Sequence, residues 1–128
     1  MPTFPVVTGD VLTSTIFNGL PAFTVQTAKT VDYTAASGDE YQQLILMNKA
    51  TAIAFKIPTD ATFNFPVGTV ITVLSIGVGA VTISAVTPGT TTILSAGATA
   101  ASPTLAQYKS AVLIHTAANA WYVVGAIA

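Results

Sequence analysis

The feature that most constrains the fold is an uncharged stretch, residues 65–86, rich in β-branched and other apolar side chains. A period of two covers residues 70–75 and 81–86, with Gly77 and Gly79 between the two runs. Because successive side chains of a strand point to opposite faces of a sheet, each run predicts a β-strand. The glycines permit the backbone angles of a tight reversal, so the runs predict a hairpin. Apolar residues on both of its faces indicate that both are covered, by the rest of the fold or by another copy.

The surface that this chain can present to water carries very little charge. Only 7% of its 128 residues are charged, where about 25% is usual for soluble domains. The length fits one domain, which as a monomer would expose about 6,400 Å² and therefore one charge per roughly 700 Å². A monomer so poor in charge is expected to associate. We therefore expect much of its surface to be buried in an assembly.

Charge and composition also argue against several classes of partner. The net charge is −1 and the four lysines are scattered, so no basic patch for nucleic acid is expected. Cysteine is absent, which excludes disulfide and thiolate chemistry. Residues 67–86 are long enough to span a bilayer as a helix, but their glycines and alternation favour strands, so we expect no membrane partner. Residues 1–5 do not resemble a secretory signal.

The first part of the chain, residues 1–24, is predicted to be an extended arm because prolines lie near its start. Residues 10–19 are predicted to hold one or two helical turns, which Asp10 or Thr13 would cap and Gly19 would end. A helix this short is not stable alone. It therefore docks either on its own domain or on a neighbouring subunit, and the sequence leaves both alternatives open.

The remainder, residues 25–128, is predicted to be a single β-domain. About eight short strands are separated by turn residues at regular spacing, a pattern typical of an antiparallel β-sandwich or barrel. Besides the predicted hairpin, the strands are expected within residues 25–31, 41–47, 51–57, 90–94, 106–116 and 120–127. The predicted fold class is therefore all-β, with the N-terminal arm and its short helix attached.

No catalytic, cofactor-binding or metal-binding residue is predicted. The single histidine, His115, has no second histidine for a metal site and no assignable nucleophile, so we expect it to be structural. Asp39 and Glu40 are the only adjacent acids, and Ca²⁺ needs six to eight oxygen ligands, so a solvated loop is expected there. Gly77 and Gly79 lack the third glycine of a dinucleotide fingerprint. We therefore predict that the chain is not an enzyme.

Several strings in the second half resemble a β-rich module of virion proteins in tailed bacteriophages. In that module a P-x-G-T-x-I-x-V strand meets a G-x-G-x-V-T-I strand, and a tyrosine strand and an N-x-W-x-x-x-G hairpin follow. The matching positions are Pro66, Gly68, Thr69, Ile71, Gly77, Gly79, Val81, Thr82, Ile83, Tyr108, Asn119, Trp121 and Gly125. Residues 9–13 with Asn18 are similar to the leader of many phage structural proteins.

The resemblance implies a non-enzymatic virion part that is commonly trimeric. It points to a head decoration (cement) protein, a head fibre, or a tail or neck component. A module without added domains suits a decoration protein, so we expect a homotrimer bound to the major capsid protein on the outer surface of the capsid. The alternative is a tail, neck or fibre protein that contacts the host surface.

Aromatic and large apolar residues are candidates for two roles, a sugar-binding site and the subunit interface. A third functional alternative is a small carbohydrate-binding β-module, in which Trp121, Tyr122 and Tyr108 would stack on sugar rings. Packing in the core or at a subunit interface is the commoner fate of such residues in a small β-domain. The predicted interface residues are Leu12, Ile16, Phe17, Phe63, Phe65, Tyr108, Trp121 and Tyr122.

Overall fold

The computed structural model describes residues 23–128, and these residues form β-strands and connecting segments without a helix. The strands are β1 (Thr24–Val25), β2 (Tyr33–Thr34), β3 (Gln43–Met47), β4 (Ile53–Ile57), β5 (Val70–Ser75), β6 (Val81–Ala85), β7 (Thr92–Ser95), β8 (Thr104–Leu105), β9 (Ser110–Ala117) and β10 (Ala120–Gly125). The prediction of an all-β domain is confirmed. The predicted helical turns within residues 10–19 lie outside the described residues.

Two sheets pack face to face. The six-stranded sheet has the order β1-β3-β5-β9-β10-β7, and the four-stranded sheet has the order β2-β4-β6-β8. Along the longer strands buried residues alternate with more exposed ones, as the period of two requires. The buried side chains meet between the sheets, and the largest of them are Trp121, Phe55 and Phe65. The architecture is that of a sandwich.

Three strand–turn–strand units, which we call β-arches, build the first half of the domain. Each arch begins in the six-stranded sheet and ends in the four-stranded sheet: β1–β2, β3–β4 and β5–β6. Equivalent strands of successive arches pair in parallel, so the arches are stacked. The chain then reverses, and β8 and β9 pair antiparallel with β6 and β5. Finally, β10 pairs antiparallel with β9 and parallel with β7.

The predicted antiparallel arrangement is therefore wrong, because both sheets are mixed. Five of the eight strand pairings are parallel. A period of two identifies a strand but does not identify its partner, and the turns of the arches carry the chain across to the other sheet. Consecutive strands of an arch thus face each other across the core instead of sharing a ladder.

The predicted hairpin is corrected in the same way. Both of its strands exist as β5 and β6, yet they belong to different sheets. Neither Gly77 nor Gly79 is among the residues with positive φ. A Cβ added at Gly77 would instead overlap the backbone of Lys49, and one added at Gly79 would overlap the carbonyl of Thr51. These glycines allow the β5–β6 turn to lie directly on the β3–β4 turn.

Candidate interaction surface

The outer face of the six-stranded sheet is uncharged and mostly apolar, and we call it the apolar face. Its side chains alternate with core residues such as Val73 and Leu113, which are fully buried. The outward side chains retain exposure, which is 46% for Tyr122, 48% for Val124 and 59% for Val25. The apolar face consists of Val25, Leu44, Leu46, Val70, Thr72, Leu74, Thr92, Leu94, Ser110, Val112, Ile114, Thr116, Ala120, Tyr122 and Val124.

Strand register makes the apolar face continuous across the sheet. One row of neighbouring residues crosses five strands, in the order Val25, Leu44, Thr72, Val112, Val124. A second row crosses four strands and ends at the β7 edge of the sheet, in the order Val70, Ile114, Tyr122, Leu94. Directly paired residues in adjacent strands have their Cβ atoms about 5 Å apart, so each row forms an unbroken strip of side chains.

The outer face of the four-stranded sheet has a different chemistry. Register places Thr34, Lys56 and Ser84 in one row. Ala54, Thr82 and Thr104 form the next row. Five of these six outward residues are therefore polar, four with a hydroxyl group and one with an ammonium group. On the six-stranded sheet hydroxyl residues are a minority among Leu, Ile, Val and Tyr side chains, and no residue is charged. The four-stranded sheet is suited to water, and the six-stranded sheet is suited to a partner.

An open depression lies at one border of the apolar face, beside β7 and β10. Its volume is about 260 Å³, and Leu94, Tyr122, Val124 and Ile127 contribute to its lining. The lining includes no charged residue. Together with the half-exposed side chains around it, the depression gives the face enough relief for a partner's side chains to interdigitate.

His115 lies in the core, as the structural role predicted for it requires. Its ring stacks on Trp121 with a centroid separation of 4.6 Å, and Trp121 meets Phe65 edge-on at 5.7 Å. The His115 Nδ1 atom lies 3.3 Å from the carbonyl oxygen of Pro66. The His115 Nε2 atom lies 3.6 Å from Asp60 Oδ1. The histidine is thus enclosed by core contacts.

Asp60 also joins two connections that are far apart in sequence. The backbone N–H of Asn119 donates to Asp60 Oδ2 at 2.8 Å. The backbone N–H of Asp60 donates to Asn119 Oδ1 at 2.9 Å. Asn119 has a positive φ of 51°, a conformation that Asn adopts more readily than most residues. This reciprocal pair fixes the β9–β10 turn to the β4–β5 connection.

The P-x-G-T motif of the family resemblance meets the end of β9 at this place, and Gly125 of the N-x-W-x-x-x-G motif lies at the other end of β9. The backbone N–H of Gly68 donates to the carbonyl of His115 at 2.7 Å, and that of His115 donates to Thr69 at 2.9 Å. Gly68 has a φ of +95°, so the P-x-G-T turn needs glycine there. Gly125 has a φ of +134°, and a Cβ on it would lie 2.6 Å from the Ser110 carbonyl. Gly68 and Gly125 are therefore required by the local backbone.

A second polar cluster surrounds Asp39, for which a solvated loop was the expectation. That expectation is wrong, because Asp39 is buried. Its carboxylate accepts hydrogen bonds from Gln26 Nε2 at 2.7 Å, from Tyr33 Oη at 2.7 Å and from the Ala36 N–H at 2.9 Å. Burial, the hydrogen bond to Asp39 and the charge of Asp39 together raise the pKa of Tyr33 well above its usual range. The cluster ties the first β-arch together.

Of the eight residues predicted for the subunit interface, five lie in the described part of the chain, and two of these five are exposed. Leu12, Ile16 and Phe17 lie outside the described residues. Phe65 and Trp121 are each 1% exposed in the core, so their side chains are not available to a partner or a sugar. Phe63 is half-buried and packs against the core. Only Tyr108, which is 76% exposed, and Tyr122 on the apolar face are open to contact.

Most residues of the apolar face are not among the predicted interface residues, although the sequence contains a pattern that indicates them. Strands β3 and β9, like β5, carry apolar residues on both faces. A strand with one face in water would instead alternate apolar and polar residues. The prediction of two covered faces concerns residues 65–86 alone. When the same pattern is applied to β3 and β9, it identifies Leu44, Leu46, Val112 and Ile114 as residues of the apolar face.

Comparison with known proteins finds no matching family model, no matching curated protein and no matching solved structure. Among residues 23–128, no group of three or more His, Cys, Asp or Glu side chains is placed to hold a metal ion. The same part of the chain has no helix long and apolar enough to cross a membrane.

Proposed function

We propose that this chain is a structural protein of a tailed-bacteriophage virion, and that it decorates the head as a homotrimer that stabilises the shell. The family is proposed from the sequence motifs around residues 66–71, 77–83 and 119–125. The observation that carries the contact role is the apolar face, which has no charged residue. Contiguous apolar surface of this extent is typical of protein–protein contact.

The physical basis of head stabilisation is mass action. A protein that binds the assembled shell and not its separated subunits shifts the equilibrium toward the shell. A trimer held by an obligate interface would bury about 2,000 Å² or more. The sparse charge of the whole chain, 7% of its residues, agrees with a surface of which a large part is covered.

A contact role also agrees with how the described polar groups are used. Asp39 and Asp60 accept hydrogen bonds from their own chain, and His115 is enclosed between Trp121, Pro66 and Asp60. These groups hold the fold together. The proposed function therefore assigns no catalytic step to them.

Of the alternatives, a tail, neck or fibre protein rests on the same sequence motifs and differs only in its location on the particle. The carbohydrate-binding alternative is weakened, because the indole of Trp121 is buried and, of the three residues named for sugar stacking, only Tyr108 and Tyr122 have exposed rings. Head decoration remains the proposal.

Antibody labelling of phage particles whose genome encodes the chain tests this proposal. Label spread over the heads is the expected result, and purified protein added to heads that lack it should raise the temperature at which they release DNA. Label at the tail alone would replace head decoration by the tail or neck alternative. Particles without label would overturn the virion proposal.

A further inference from the structure

We infer that the apolar face is the surface on which copies of this chain pack against one another, an inference that rests on the proposed self-association. The occupant of the face is thus a second copy of the same chain. In a closed ring of three, the three apolar faces turn toward a common axis and cover one another. The four-stranded sheet then remains on the outside.

The size of the face fits this role. Six strands about 4.8 Å apart, which average about five residues of about 3.4 Å each, give a planar area of roughly 400 Å². Side chains corrugate the face, so its accessible area exceeds the planar value. Three such faces around the axis have a planar area of roughly 1,200 Å² in total, above the order of 1,000 Å² that a specific interface needs. A copy of the chain is therefore large enough and flat enough to cover the face.

The chemistry of the face selects its partner. Because the face has no charged residue, an acidic or basic partner would lose hydration without gaining an ion pair. The same apolar face on another copy has no such cost. The outer face of the four-stranded sheet is a poor partner, since Lys56 stands in the middle of one of its rows.

A segment of the chain itself is the competing occupant. The helical turns predicted within residues 10–19 would measure about 15 Å by 10 Å. Such a helix covers roughly 150 Å², well under half of the face. A second copy covers more of it, which is why we infer that the partner is another chain.

Charge placed on the apolar face tests the inference. The full-length double variant Tyr122→Lys, Val124→Lys changes two side chains that are 46% and 48% exposed, so the single chain can accommodate it. Like charges brought together at the axis should raise the dissociation constant of the assembly by about 100-fold or more in sedimentation experiments. The matched control is Thr82→Lys, Ser84→Lys on the other sheet, which should assemble like the parent chain. Circular dichroism verifies that both variants are folded.

Cross-linking gives a second test that does not depend on weakening the assembly. The chain has no cysteine, so Val112→Cys places a single thiol at the centre of the apolar face, and Thr82→Cys places one on the other sheet. Under mild oxidation, covalent dimers are expected from the first variant and not from the second. Cross-linking through Thr82→Cys and not through Val112→Cys would overturn the inference. So would a Tyr122→Lys, Val124→Lys variant that assembles as tightly as the parent chain. Either result would still be compatible with self-association through another surface. A parent chain that is monomeric would instead overturn the proposed function, and the inference with it.

Discussion

At the scale of single residues, the glycines between β5 and β6 show that a turn can be predicted correctly for a wrong physical reason. Gly77 and Gly79 mark the end of β5, but their role is close approach and not an unusual φ. The backbone N–H of Gly79 donates to the Lys49 carbonyl at 2.9 Å. This contact is possible only where no Cβ intervenes. The sequence pattern marks the turn, while the neighbours that require glycine, Lys49 for Gly77 and Thr51 for Gly79, are each 28 residues away in the chain.

Replacing Gly79 by alanine should therefore destabilise the fold strongly. The added Cβ overlaps the Thr51 carbonyl, which is backbone and cannot rotate away. We expect a loss of at least about 2 kcal/mol in the free energy of unfolding, measured by chemical denaturation at fixed protein concentration. Gly89→Ala is the matched control, because a Cβ there meets nothing within 4 Å. Equal effects of the two substitutions would contradict stacked turns.

The Asp39 cluster predicts a specific dependence of stability on alkaline pH. Burial and Asp39 raise the pKa of Tyr33 in the folded chain, while in the unfolded chain a tyrosine ionises near pH 10. The unfolded state thus releases the proton first, so the stabilisation is complete below about pH 10 and declines as the pH rises above it. In Tyr33→Phe this decline should be absent. Unfolding free energies measured from pH 8 to pH 11.5 compare the two, and parallel curves would show that Tyr33 has no part in it.

At the scale of elements, the strands were predictable and their partners were not. Alternation located β3, β4, β5 and β6 almost residue by residue, because each has four or more residues and a buried face. Strands β1, β2 and β8 have two residues each, too few to show a period. Pairing in stacked arches depends on contacts between residues that are distant in sequence, and no local pattern encodes them.

The pair formed by Asp60 and Asn119 ties such distant elements together, and its strength can be measured. Asp60→Ala and Asn119→Ala should each lower the free energy of unfolding by about 1–3 kcal/mol, because each leaves a backbone N–H without its acceptor. The double variant should cost less than the sum of the two, since the substitutions break one shared unit. Asn119→Gly is the control that keeps the positive φ accessible and removes only the side-chain bond. Strict additivity in thermal or chemical denaturation would mean that the two residues act independently.

At the scale of the whole molecule, the two outer faces of the sandwich differ in a way that composition alone predicts only in part. Sparse charge led to the expectation of a covered surface, and apolar residues on both sides of residues 65–86 led to the expectation of a second covered face. Which aromatic residues would be exposed could not be predicted, because residue type does not distinguish the core from an interface. Trp121 and Phe65 lie in the core, whereas Val112 and Val124, which are ordinary strand residues, lie on the apolar face.

The proposal as a whole depends on self-association, and native mass spectrometry of the purified full-length chain tests it most directly. At micromolar concentration the account predicts a dominant species with three times the 13.1 kDa mass of the chain. Dilution should leave this species intact, as an obligate interface requires. A dominant species of 13.1 kDa that persists as the concentration is raised would contradict the account.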